Sequence, residues 1–151
     1  MAKRNFNVYP NLVADICKRN GQDVVIAQKV LKELLNRAKT NSIGCTIYCY
    51  GELNMALGVS KYARSNFQLT SVRDVILELG KLENEKIPVL NSMCKKTGTK
   101  LPSTGFHIIE KTYNSMNRQQ QRVITQQYDQ AIINYGKTQG WDWVIQSLDL
   151  K

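Results

Sequence analysis

Apolar residues return at helical spacing in three long stretches of this chain, and that periodicity limits the fold to one whose core is built mostly from helices. From about Asp23 to Ala38 the positions Ala27, Val30, Leu31, Leu34, Leu35 and Ala38 fall on one face, with Lys29, Lys32, Glu33, Asn36 and Arg37 opposite. Ser71 followed by Asp74 fits a capping box, and Val72, Val75, Ile76, Leu79 and Leu82 form the stripe of the helix it would open. From about Asn117 to Gly136 the period returns through Ile124, Tyr128, Ala131, Ile132 and Tyr135, and Trp141 and Trp143 follow as a tail expected to dock on the core. A shorter helix opens at Pro10-Asn11-Leu12, carries Leu12, Val13, Ile16 and Cys17 on one side, and stops at Asn20-Gly21.

At 151 residues the chain is long enough to bury roughly 70% of its unfolded surface, so one hydrophobic core suffices without disulfides or metal. Cys17, Cys45, Cys49 and Cys94 form no Cys-x-x-Cys pair, and His107 alone cannot complete a Cys/His zinc site. Free thiols in a reducing compartment follow, with no cofactor, and Cys45 and Cys49 share a face with Ile47 as small buried hydrophobes. The longest apolar run, Val24-Val25-Ile26-Ala27, falls far short of a membrane span or a signal peptide, which points to a cytoplasmic protein with no membrane partner.

The net charge of +9 is unevenly placed. Residues 1–40 hold 8 basic and 3 acidic groups, residues 91–125 hold 6 and 1, and the rest of the chain is close to balance. Clustered Lys and Arg favour an anionic partner, nucleic acid first and an acidic protein or membrane surface second.

Between the flanking helices lies a distinct order of elements. Cys45 to Cys49 alternates as a strand does, Tyr50 to Leu57 fits a short helix ending at Gly58, and Val59 to Leu69 is a polar connection. The Ser71 helix follows and Pro88 bars its continuation. Val89 to Lys95 has the composition of a strand, Lys96-Thr97-Gly98-Thr99 of a turn, and a return segment runs to Phe106. Strand, helix, helix and basic-tipped hairpin is the order of a winged helix-turn-helix. The expected fold is therefore mainly α (α+β), a single domain over residues 1–151. N-terminal helices cover 10–40, a winged core 45–106, and a C-terminal helix with its Trp tail 107–151.

Around Tyr50-Gly51-Glu52-Leu53 and Ser71-Val72-Arg73-Asp74-Val75 the chain resembles the winged-helix domain of the DNA alkyltransferases and their non-enzymatic alkyltransferase-like relatives. Pro88 matches the proline of that family's Pro-Cys-His-Arg strand, and the likeness covers about residues 45 to 106. It implies that Tyr50 approaches a DNA phosphate and that Arg73 enters the base stack or reads a base. Where the family carries its acceptor Cys and the following His, this chain has Val89 and Leu90, so the resemblance implies no alkyl transfer. The cassette from Ile87-Pro88 through Lys96-Thr97-Gly98 to Gly105-Phe106 also looks like one in small uncharacterised bacterial and phage proteins.

The function expected from these features is non-catalytic binding of nucleic acid, double-stranded DNA first. Lys61, Arg64, Lys95, Lys96 and Lys100 would contact phosphates, with Arg73, Tyr50, Gln68 and Ser71 near the bases. Asp74, Glu78, Glu83 and Glu85 on the same helix would repel a duplex, which confines base contact to its N-terminal end. One rival is a phage or mobile-element protein that uses its basic surface to occupy and inhibit a host defence nuclease or another nucleic-acid-binding complex. A second rival, a small nuclease, rests on His107 and Glu110, although a lone His beside Phe106, Ile108 and Ile109 is the pattern of a packing residue. The chain carries no Gly-rich phosphate loop, no Gly-x-Ser-x-Gly elbow and no His-Glu-x-x-His.

Overall fold

The computed structural model describes residues 5–40, 47–48, 55, 58, 69–96 and 98–150. Among these the chain is mainly helical, with α1 (Leu12–Asn20), α2 (Val24–Lys39), α3 (Leu69–Glu83), α4 (Arg118–Thr138) and α5 (Asp142–Ser147). Two short strands, β1 (Ile47–Tyr48) and β2 (Cys94–Lys95), pair in parallel with Ile47 opposite Cys94 and Tyr48 opposite Lys95.

Local chemistry explains the helix ends. Gly21 closes α1 at φ 67°, a left-handed geometry that a side chain resists, and frees the chain to turn straight into α2. Asp23 then caps α2 by accepting the Ile26 N–H at 3.0 Å. Asn117 and Gln120 form a reciprocal capping box at the start of α4, with both bonds at 2.8 to 2.9 Å. The six apolar positions anticipated on α2 are all buried.

The start of α3 differs from the sequence expectation. The helix is already running at Leu69, so Ser71 and Asp74 do not open it. Ser71 is buried, and both its N–H and its hydroxyl donate to Gln22 Oε1 from the α1–α2 turn, while Asp74 accepts from Asn20 at 2.9 Å. The residues that looked like a local cap are partners of another element. Val72, Val75, Ile76 and Leu79 are buried as expected, but Leu82 is exposed, because in the last turn the inward direction belongs to Glu83, which accepts from the Tyr9 hydroxyl at 2.7 Å. Asn84, at φ 49°, ends the helix by returning the Glu85 N–H to the Gly80 carbonyl at 2.8 Å.

A second correction concerns the hairpin. The strand expected over Val89 to Lys95 is a 3-10 turn at Asn91–Met93 followed by two strand residues. The turn after it is present, with the Lys96 N–H on the Leu101 carbonyl and the Lys100 N–H on the Lys96 carbonyl, both at 2.8 Å. The return segment coils into a 3-10 helix at Thr104–Ile108, and β2 takes β1 as its partner instead. Apart from Met55 and Gly58, the short helix and polar connection expected over 50–69 lie outside the described residues up to Leu69. Gly58 there has φ 65° and donates to the Met55 carbonyl at 3.1 Å.

One core joins these elements: α1, α2 and α3 pack on one another, and α2 also meets α4 and α5. Trp141 and Trp143 are buried, as the tail reading anticipated. Trp143 donates its indole N–H to the Tyr135 hydroxyl, which donates in turn to Glu85. On α4 the inward face is Thr125, Ile132 and Tyr135, while Ala131 is exposed. No described helix is long and apolar enough to cross a membrane.

Candidate nucleic-acid interface

The residues anticipated at the interface fall into three groups. Tyr50, Lys61, Arg64 and Gln68 lie outside the described residues. Ser71, Arg73 and Lys95 are engaged within the fold. Lys96 and Lys100 are exposed.

Arg73 is only a quarter exposed along its side chain. Its guanidinium pairs with Asp74 at 2.7 Å and donates to the Ile108 carbonyl at 3.0 Å, so it ties α3 to the end of the 104–108 turn. A residue committed to two acceptors inside its own fold is a positioning group. Lys95 is 4% exposed, and its ammonium sits 2.8 Å from Asp129 on α4. The other Asp129 oxygen accepts the Ser92 hydroxyl at 2.8 Å. An ammonium withdrawn from water survives only beside a carboxylate, so this lysine points into the molecule and not toward a phosphate. Arg73 and the 95–100 lysines therefore do not act as one outward set.

Sequence reading missed the other half of the basic surface. Arg118 opens α4, and Arg122 stands one turn further on the same face. Both are exposed. Their signal was in the charge tally, since residues 91–125 hold 6 basic groups against the single acid Glu110, but that surplus was assigned to the hairpin alone. Lys96 and Arg118 line one small cleft between the 96–101 turn and the beginning of α4. Leu101, Pro102 and Tyr113 form its apolar wall, and Thr99 and Gln121 add polar groups. Among the described residues no carboxylate pairs with Lys96, Lys100, Arg118 or Arg122. Glu110, the acid between the turn and α4 in sequence, takes the Tyr128 hydroxyl at 3.1 Å.

Other chemistry is thin. His107 is exposed and not packed as its neighbours suggested; Phe106 takes the interior place, set edge-on to Tyr113 and Tyr128. Among the described residues no three His, Cys, Asp or Glu side chains gather as a metal site would need. Cys17 and Cys94 are buried and in no disulfide among the described residues, and burial raises the Cys17 pKa.

No family model, curated protein or solved structure matches this chain.

Proposed function

We propose that this protein binds nucleic acid without catalysis, through a basic surface made by the 96–101 turn and the first two turns of α4. The observation that carries this reading is that Lys96 and Arg118, far apart in sequence, open on the same carboxylate-free cleft. Lys100 on the turn and Arg122 on the helix are exposed and add two further cations on the same two elements. In the order of elements read over residues 45–106 the 96–101 turn stands where a winged helix-turn-helix has its wing tip, but with no return strand behind it among the described residues, and its lysines serve as backbone-positioning contacts. Arg73 has no part in base discrimination in this reading, because its guanidinium is held inward on Asp74 and the Ile108 carbonyl.

Fluorescence titration of a labelled DNA duplex against salt tests the proposal. Three or four phosphate contacts from these cations give a log-log slope of about −2.7 to −3.6. Arg122→Glu should weaken binding to unrelated sequences by the same factor. Absence of any salt-sensitive binding at low ionic strength would end the reading.

A further inference from the structure

We infer that the cleft between the 96–101 turn and α4 seats one backbone phosphate, held by Arg118 and Lys96 with the Thr99 hydroxyl as a third donor. This rests on the nucleic-acid reading and gives it a specific point of contact.

The size of the cleft comes first. Its volume is about 70 Å³, against about 530 Å³ for the groove beside α3 and about 540 Å³ for the one between residues 86–89 and α4. A space that small exceeds what one water needs, yet falls well below the roughly 300 Å³ at which organic ligands begin to be enclosed. It admits a tetrahedral oxyanion and excludes a nucleobase.

Its chemistry points the same way. The carbonyls around it are already bonded: Pro102 accepts the Tyr113 hydroxyl at 2.7 Å, Tyr113 accepts the Gln121 amide at 3.0 Å, and Leu101 accepts the Lys96 N–H at 2.8 Å. Thr99 Oγ1 accepts the Leu101 N–H at 3.3 Å, which leaves its own hydrogen to be donated elsewhere. What the walls offer a ligand is a guanidinium, an ammonium and a hydroxyl, with the Gln121 amide beside them. Two like charges beside one cleft with no carboxylate to separate them repel each other, and an anion bound between them turns that repulsion into two attractions. Arg supplies a planar fork for two phosphate oxygens, and Lys supplies a compact charge for a third. A ligand held this way is read by its charge and shape, so the contact carries no base preference.

The test uses the full chain and two readouts. Lys96→Ala and Arg118→Ala should each weaken duplex binding about tenfold, with equal factors across sequences. Because both side chains serve one phosphate, the double variant should make the salt slope shallower by about 0.9, the increment for a single contact. A change of about 1.8, with fully additive losses, would mean two separate phosphates and overturn the shared seat while leaving the nucleic-acid reading intact. Loss of all salt-sensitive binding in the unmodified protein would instead remove the reading itself. Independently of nucleic acid, titrating inorganic phosphate should shift the nuclear magnetic resonance signals of Arg118 and Thr99 more than those of Arg122 and Lys137, and Arg118→Ala should abolish that shift. Equal shifts at all four would mark nonspecific screening and overturn the seat.

Discussion

Lys95 and Lys96 are neighbours with opposite fates. Lys95 lies in the interior against Asp129, and Lys96 stands in water on the rim of the cleft. Lys95→Ala should therefore act on stability, lowering it by about 2–4 kcal/mol because Asp129 would keep only Ser92 as a donor in a mostly buried place. A shift in the urea midpoint without change in the salt slope of binding is the expected pair of results. Lys100 poses the reverse case. It holds φ 57°, where most side chains are strained, and yet it is a lysine. Lys100→Gly should leave stability unchanged or raise it by up to about 1 kcal/mol while weakening nucleic-acid affinity, measured by thermal melting and duplex titration. Neither fate was legible in the sequence. Lys95 takes its direction from a carboxylate 34 residues away, and a composition that merely suits a strand says nothing about which lysine that carboxylate will claim.

At the scale of elements, what was legible followed from local chemistry. The buried face of α2, the glycine stop of α1 and the start of α4 at Asn117 all depend on residues within a few positions of one another. The start of α3 was misread because Ser71 and Asp74 have a capping spacing, while the group that caps this end, Gln22, comes from another turn. Gln22→Ala should thus destabilise the fold by about 1 kcal/mol, seen as a lower denaturant midpoint. Gly80 shows where propensity and packing disagree. Alanine is favoured over glycine inside a helix by about 1 kcal/mol, but a Cβ at this position would stand 2.6 Å from the Glu85 carbonyl oxygen. Backbone yields little, so Gly80→Ala should be a net loss of about 1–3 kcal/mol by the same measurement. The return strand after the basic turn failed to appear for a related reason. Phe106 and Tyr113 pack face to edge in a coiled segment, and an extended return would pull them apart.

The whole molecule depends on groups that stay neutral. Burial, more than the nearby Glu85, raises the Tyr135 pKa well above its ordinary 10.0, and burial raises those of Tyr113 and Tyr128 as well. Above pH 10 the unfolded chain releases these protons before the folded one does, so stability is complete below that pH and declines as pH rises beyond it. Tyr135→Phe should flatten the decline in alkaline denaturation, with a loss of about 1 kcal/mol at neutral pH from the broken bonds to Trp143 and Glu85. The same scale contains the clasp between the two ends of the described chain. Ser147 donates its hydroxyl to the Asn7 carbonyl and accepts the Tyr9 N–H on its own, while Phe6 leans on Trp143. On the ribosome, residues 6–9 are made well over a hundred residues ahead of Trp143 and Ser147, so they find their dock only once α5 has emerged. Until then Phe6 and Tyr9 have no cover, and a nascent copy offers them to aggregation or to a protease.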